Sequence, residues 1–232
     1  MSTPTGQVTD EIEFMRRVVP LDGARVVELG CGKAELSRRL LERGLVTSVV
    51  ALEVDQRQHA LNLASSAPPG LTFLAGGAEA IPLPAAQFDL AIMLKSLHHV
   101  PVAQLDAAMA EIRRVLVPGG FLYVSEPVPG GDFLEIVRLF HDEGIVLAAA
   151  HQAIRRAAAA GVLEHAAEHV FETAVEFKDY DDLVRRIVNV THADRALSGS
   201  VAEEVRRRFG QHMTPSGARF VRQMRVNVLR RP

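Results

Sequence analysis

Residues 25–40 read RVVELGCGKAELSRRL, and this stretch decides the fold. An apolar run leads to an acid at Glu28, glycines follow at Gly30 and Gly32, and leucines then recur at helical spacing. The pattern predicts a buried strand, a tight turn and an amphipathic helix. Glycines let the turn bend sharply and let a ligand approach the backbone, and the helix N-terminus presents unpaired N–H groups.

The same alternation continues through Glu126 and predicts a parallel sheet with helices on both faces. The second strand is nearly all apolar, which is typical of a strand buried on both faces. The predicted helices are Asp10–Val19, Lys33–Arg43, Gln56–Ser66 and Val102–Leu116, and the predicted strands are Arg25–Leu29, Thr47–Val54, Leu71–Ala75, Phe88–Leu94 and Phe121–Glu126.

The second half of the chain has a different character, with long helical patterns rich in Ala, Leu and Ile. Strict alternation near the end predicts a terminal strand. Residues 1–7 are small and polar, which predicts disorder. The expected helices are Gly131–Gly144, Ile145–Ala160, Asp181–Val190 and Ser200–Arg208, and the expected strands are His169–Phe177 and Arg219–Arg230.

Length and composition predict one large α/β domain over residues 1–232. The net charge of −2 gives no general attraction to nucleic acid or membranes. Cys31 is the single cysteine, which excludes an internal disulfide. Neither a signal peptide nor a membrane-spanning apolar run is recognisable, so we expect a cytoplasmic protein.

ELGCGKA resembles the first motif of the class I (Rossmann-like) S-adenosylmethionine-dependent methyltransferases, in particular the small-molecule methyltransferase type 11 group. Ala34 stands where that family often has a third glycine, and a positive φ there would be strained. A dinucleotide-binding turn is the rival interpretation, but its third glycine falls on Glu35, which would oppose a pyrophosphate.

The resemblance implies a doubly wound, mostly parallel seven-stranded sheet with an antiparallel terminal strand and a helical insertion after strand five. Residues 24–127 would form the cofactor-binding half. Residues 128–165 would form a helical lid or cap, and residues 166–232 would complete the sheet.

The resemblance also implies S-adenosylmethionine as cofactor. Glu53, after the second strand, matches the acid that binds the ribose, with Asp55 as the rival. Gly77 stands where the family usually has an adenine-binding Asp, so adenine recognition would depend on the backbone of Ala78 and on Glu79. The expected cofactor-binding residues are Glu28, Gly30, Cys31, Gly32, Glu53, Val54, Gly77, Ala78, Glu79 and Lys95.

FDLAIMLKSLHHVP resembles the family's fourth motif, at the methyl-bearing end of the cofactor. Lys95 would meet either the methionyl carboxylate or an acid of the substrate. His98 and His99 are either bases or substrate-positioning residues, or they only stabilise the loop through hydrogen bonds. Glu126, at the end of the fifth strand, contacts substrate or caps the next turn.

Substrate contacts are also expected from the helical segment after strand five, at Phe133, Phe140 and His141. We predict no metal site, because the remaining histidines match no metal-binding spacing. Eight arginines without an acid follow residue 204, but no aromatic residues are interleaved as nucleic-acid binding would require. The scattered histidines are His141, His151, His165, His169, His192 and His212.

These features predict methyl transfer from S-adenosylmethionine to a small-molecule acceptor by in-line displacement. The alternatives are a catalytically inactive protein of the same fold that binds a ligand or partner, and the less favoured dinucleotide oxidoreductase. The acceptor and the oligomeric state are left open, because no motif is recognisable in the second half.

Overall fold

The computed structural model describes residues 6–188, 197 and 199–232. The helices are α1 (Glu11–Val18), α2 (Glu35–Glu42), α3 (Gln56–Ala64), α4 (Leu105–Val115), α5 (Asp132–Val137), α6 (Gly144–Ala159), α7 (Tyr180–Leu183) and α8 (Gly199–Gly210). The strands are β1 (Ala24–Leu29), β2 (Val46–Glu53), β3 (Leu71–Ala75), β4 (Phe88–Leu94), β5 (Leu116–Pro127), β6 (Glu164–Phe177), β7 (Met213–Thr214) and β8 (Gly217–Arg230).

One sheet runs through the molecule in the order β3-β2-β1-β4-β5-β8-β6. The first five strands are parallel, and β8 is antiparallel to both β5 and β6. The predicted mixed sheet with an antiparallel terminal strand is therefore confirmed. The two-residue strand β7, which pairs with β8, was not predicted from the sequence.

Helices cover both faces of the sheet, and alternate residues of β1 point to opposite faces. Val27 and Leu29 pack in the core beneath α4 and α6, whereas Val26 packs beneath α1 and α2. This is the period of two expected of a strand. Since both faces are buried, the strands need apolar residues at nearly every position, which explains the apolar runs in the sequence.

A third core lies under the C-terminal helices and is built largely from aromatic rings. Phe133 of α5 stacks on Phe177 with ring centroids 5.7 Å apart, and Phe209 and Phe220 complete the cluster. This cluster attaches α5, α7 and α8 to the long β6–β8 ribbon. Phe133 is 3 % exposed and belongs to this core.

Several predicted boundaries were wrong in the second half. Strand β6 begins at Glu164 rather than at His169, because it pairs with β8 along its whole length. Strand β5 begins at Leu116, before the predicted Pro-Gly-Gly turn, because Leu116 already pairs with Phe88.

The helices also differ from prediction. The expected helix over residues 131–144 ends at Val137, where the N–H groups of Leu139 and Phe140 donate to carbonyls three residues back and tighten the last turn. The helix expected over residues 181–190 is four residues of α7 followed by a π-helical turn, Val184–Val188. Residues 189 and 190 lie outside the described residues, as does His192.

The N-terminal prediction was wrong for Gly6 and Gln7. Gly6 accepts a hydrogen bond from the N–H of Glu172, and Gln7 forms a bridge with the same residue of β6. Residues 1–5 lie outside the described residues. Within the part of the chain that the structure describes, we find no helix long and apolar enough to cross a membrane.

Candidate active site

The turn after β1 carries the first group of candidate residues. Gly30 has φ +74°, and a Cβ atom there would lie 2.7 Å from the Cβ of Ser96, so only glycine fits. The N–H groups of Gly30 and Cys31 both donate to the carbonyl of Leu52, at 3.0 and 2.9 Å. Ala34 adopts φ +55°, so this residue has the positive φ that is strained for a residue other than glycine.

Gly32 and Glu53 are joined by a hydrogen bond. The Gly32 N–H donates to Oε2 of Glu53 at 2.7 Å, and the Asp55 N–H donates to Oε1 at 2.9 Å. Among the described residues, no atom lies within 4 Å of the position that a Cβ of Gly32 would occupy. The bond to Glu53 therefore fixes the turn on the side of β2. The side toward which a Cβ of Gly32 would point is open, as close approach of a ligand requires.

Glu28 lies beneath this turn and is only 4 % exposed. Its carboxylate accepts a hydrogen bond from the hydroxyl of Ser37 in α2. Burial raises the pKa of Glu28 to about 7, the nearby Glu53 carboxylate adds to this, and the bond from Ser37 opposes it. In the structure Glu28 therefore links β1 to α2 from a buried position.

Helix α3 supplies a support that sequence reasoning missed. The amide of Asn62 donates to the Gly32 carbonyl at 2.7 Å, and Gln58 donates to the Asn62 side chain at 2.9 Å. Both side chains are buried, whereas Leu61 and Leu63 of the same helix are exposed. The sequence itself indicated the opposite, because Ala60, Leu61, Leu63 and Ala64 share one apolar face that would be expected to pack on the core, yet this face is exposed.

Val54, Ala78 and the acid Glu79 form the expected adenine end of the crevice. Val54 follows Glu53 and is 62 % exposed, and Ala78 is buried. The carboxylate of Glu79 lies directly over Gly77, in the space that a Cβ at Gly77 would occupy. Glu79 thus places an acid where the side chain of an Asp at position 77 would start.

Lys95 and Arg222 form the cationic side of the site. Lys95 is a non-glycine residue at φ +54°, at the mouth of the crevice, with its side chain exposed. The surrounding protein removes water from the Lys95 amine, which disfavours its charged form, and the nearby positive charge of Arg222 adds to this. Both effects lower the pKa of Lys95. Burial likewise lowers the pKa of Arg222, whose Nε has no hydrogen-bond partner among the residues that the structure describes. Sequence reasoning did not single out Arg222, which the antiparallel strand β8 brings to this position.

Glu126 and His98 form a buried pair. Oε1 of Glu126 accepts the N–H groups of Leu97 and His98 at 2.8 and 3.3 Å, and Oε2 lies 2.5 Å from Nδ1 of His98. Glu126 therefore holds the loop after β4 rather than capping the turn after β5. Burial alone would lower the pKa of His98, but the carboxylates of Glu126 and Glu143 outweigh it and raise that pKa to about 9.

Glu143, at the start of α6, completes this cluster and was not predicted. Its Oε1 lies 3.7 Å from Nε2 of His98 and 2.8 Å from Nε2 of His141. Despite its burial, the histidines His98, His141 and His99 lower the pKa of Glu143 to about 2. His99 is exposed beside His98, with ring centroids 4.1 Å apart.

A cavity of about 310 Å³ opens beside this cluster, between α5 and the start of α6. His141 lies on its wall, whereas Phe140 packs against the aromatic core and does not line it. The lining combines apolar side chains with polar and charged ones: Leu134, Val137, Ile145 and Leu147 on one hand, and Glu135, Arg138, His141, Asp142 and Glu143 on the other. The structure thus brings the expected cofactor residues to one edge of the sheet, with His98, His99, Glu126 and His141 beside them and Phe133 apart.

Comparison with known proteins bears on the same region. Residues 27–124 match a family model described as a methyltransferase domain. A phthiotriol/phenolphthiotriol dimycocerosates methyltransferase of Mycobacterium ulcerans is 32 % identical over 136 residues, covering 54 % of this chain and 47 % of the relative. A fatty-acid O-methyltransferase of Mycolicibacterium smegmatis is 31 % identical over 129 residues, covering 53 % and 44 %.

The chain therefore spans less than half the length of these relatives. Among solved structures, a candidate methyltransferase from Bacillus halodurans superposes with a TM-score of 0.65 over 96 % of this chain and 99 % of its own, at 16 % identity. The sequence match covers the crevice-forming half, and the shared fold covers both halves. Residues 27–124 are thus similar in sequence to a methyltransferase domain, and the chain as a whole shares the fold of the solved structure.

Proposed function

We propose that this protein transfers the methyl group of S-adenosylmethionine to a small-molecule acceptor by in-line displacement. The observation that carries the proposal is the hydrogen bond from the Gly32 N–H to the Glu53 carboxylate. It combines an open glycine turn with a buried carboxylate at the end of the neighbouring strand. This is the arrangement in which open α/β sheets bind an adenosine ribose at their carboxyl edge.

Different residues along the crevice would bind different parts of the cofactor. Glu53 binds the ribose hydroxyls, Glu79 faces the adenine, and Lys95 with Arg222 neutralises the carboxylate of the methionyl group or of an acidic acceptor. The sulfonium is already a good leaving group. The protein must therefore align the acceptor with the methyl group and exclude water, and such positioning can supply several kcal/mol.

The acceptor pocket that we propose is the cavity beside His141 and Glu143. Its apolar side chains favour a substrate with a hydrocarbon part, and His141 and Glu143 favour a hydroxyl or carboxylate oxygen as the methyl acceptor. Two relatives are named as a fatty-acid O-methyltransferase and a phthiotriol/phenolphthiotriol dimycocerosates methyltransferase, and these names are consistent with such a substrate.

Calorimetry tests the proposal. Purified protein is titrated with S-adenosylmethionine, with S-adenosylhomocysteine and with NAD in separate runs. We expect the first two ligands to bind and NAD not to bind. Methylation of fatty acids and of long-chain alcohols is then followed by mass spectrometry. Binding of NAD alone would contradict the proposal, and cofactor binding without methylation of any acceptor would favour an inactive binding protein.

A further inference from the structure

The cluster at the start of α6 holds the atoms that a metal site needs. One ligand atom each from His98, His99 and Glu143 lie within 4.8 Å of one another. Nε2 of His98 and Oε1 of Glu143 are 3.7 Å apart, too far for a hydrogen bond. Two ligands held at about 2 Å from one ion lie at most about 4 Å apart, so this pair already has the required separation and His99 needs to approach by roughly 1 Å.

His98 and Glu143 each have a partner that orients the side chain. The Nδ1 atom of His98 lies 2.5 Å from Glu126, which directs the other ring nitrogen, Nε2, toward Glu143. His141 lies 2.8 Å from Oε1 of Glu143. A histidine whose second nitrogen bonds a carboxylate is the usual arrangement behind a metal ligand, because the carboxylate selects the tautomer and raises the basicity of the ligand.

The local backbone also leaves Glu143 available. The N–H of Gly144 at the start of α6 donates to Asp142 at 2.9 Å, so Asp142 caps the helix. The side chain of Glu143 makes no capping hydrogen bond to the described part of α6 and turns toward His98 instead.

We propose that His98, His99 and Glu143 bind one divalent transition-metal ion, for which Zn²⁺ is the best match. Two histidines and one glutamate with an open fourth position form a known catalytic zinc ligand set. The cation would lie between Nε2 of His98 and Oε1 of Glu143, where the 3.7 Å separation leaves room for it. It would also tie the loop after β4 to the start of α6. The sequence predicted no metal site, because ligands from two separate segments form no spacing motif.

One consequence rests on the proposed function. Glu143 lines the acceptor cavity together with His141, so a substrate oxygen in that cavity would lie close to an ion held by Glu143. A hydroxyl oxygen bound there would lose its proton more readily, since a bound zinc ion lowers the pKa of its oxygen ligand. The acceptor class would then be an alcohol or a carboxylic acid, with its oxygen on the ion.

The test uses the full chain, treated with EDTA, dialysed, and titrated with zinc sulfate by calorimetry. A parallel titration with Co²⁺ is followed by its visible absorption. We expect one ion per chain and visible bands from bound Co²⁺. His99→Gln and Glu143→Gln should each weaken Zn²⁺ binding at least about tenfold.

His165→Gln is the matched control for His99→Gln, because His165 is also exposed. It lies opposite Leu229, which pairs with Leu122 of β5, toward the end of that strand away from Glu126. It should leave the affinity for Zn²⁺ unchanged. Wild-type protein that binds no zinc, or a His165→Gln loss as large as that of His99→Gln, would overturn the metal site. S-adenosylmethionine titrated into the same EDTA-treated sample reports on the proposed function separately.

Discussion

Gly32 donates its backbone N–H to Oε2 of Glu53 across 2.7 Å, so the turn after β1 is bonded directly to the end of β2. The other oxygen of this carboxylate accepts the N–H of Asp55. Each carboxylate oxygen has two lone-pair sites, so both can still accept a hydroxyl. The Glu53 side chain thus fixes the turn and can also accept hydrogen bonds from ribose hydroxyls. Its hydrogen bond with Gly32 lies at the centre of the proposed cofactor site.

Glu53→Ala should weaken S-adenosylmethionine binding by about 1.5–3 kcal/mol, because a charge-assisted hydrogen bond is lost. Asp55→Ala is the control. Asp55 caps α3 by accepting the N–H of Arg57, so its removal should lower the free energy of unfolding by about 1 kcal/mol and change affinity little. Calorimetry and urea unfolding on both variants measure the two effects. The reverse order of affinities would assign the ribose to Asp55.

Gly32→Val should abolish cofactor binding, because its side chain would enter the open space above the turn. Gly44→Val is matched to it. Both glycines have positive φ, +54° and +64°, and a Cβ at either would meet no atom of the described residues within 4 Å, so the backbone strain is similar. Gly44 lies beyond the far end of α2. We expect both variants to lose stability in thermal melts and only Gly32→Val to lose affinity. Equal affinities would remove this turn from the cofactor site.

Glu79→Ala should weaken S-adenosylmethionine binding roughly 10- to 100-fold if Glu79 replaces the missing acid at position 77. Gly77→Asp alone should also weaken it, since the new side chain collides with the Glu79 carboxylate. In the double variant Gly77→Asp with Glu79→Ala, the space is free and affinity should return to within a few fold of wild type. Additive losses in the double variant would show that position 79 does not substitute for position 77.

The stability of the protein should fall between about pH 4.5 and pH 7 because of Glu28. Burial raises its pKa to about 7 in the folded state, so the folded protein binds a proton there that the unfolded chain has lost. The contribution is fully present below the unfolded pKa and is lost as pH rises through the folded pKa. A shift of this size corresponds to about 3 kcal/mol.

Glu28→Gln removes this titration. Its free energy of unfolding, relative to wild type, should therefore increase from pH 4.5 to pH 8, and denaturant titrations at several pH values measure it. Parallel pH curves for the two proteins would show that Glu28 is ionised at neutral pH.

Residues 128–143 should act as the cover of the acceptor cavity. Helix α6 packs on α4 through Ala150, Ala153 and Ile154, so we expect slow hydrogen exchange over most of it in the free protein. The preceding segment lines the open cavity and ends in the turns before Gly144. Its amides should exchange quickly and slow down when S-adenosylhomocysteine and a fatty acid bind together. Slow exchange there without ligand would leave this segment as ordinary scaffold.

The first five strands and the glycine turn after β1 were readable from local sequence. A strand buried on both faces needs an apolar run, and a sharp turn under a ligand needs glycine, so β1, its turn and β2 carry their structure in adjacent residues. The terminal strand β8 was readable as well, from its strict alternation, whereas its antiparallel direction was implied by the family resemblance. Such features depend on neighbours along the chain, and a single sequence contains them.

Contacts between distant residues were decided by the tertiary structure alone. Glu28 was expected to contact the cofactor, yet packing of α2 on β1 buries it against Ser37. Glu143 had no motif, yet the approach of α6 to the loop after β4 brings it to His98. Arg222 joined Lys95 only because β8 runs antiparallel to β5. The physical reason is that the direction of a side chain follows from its own strand or helix, whereas its partner depends on how whole elements pack.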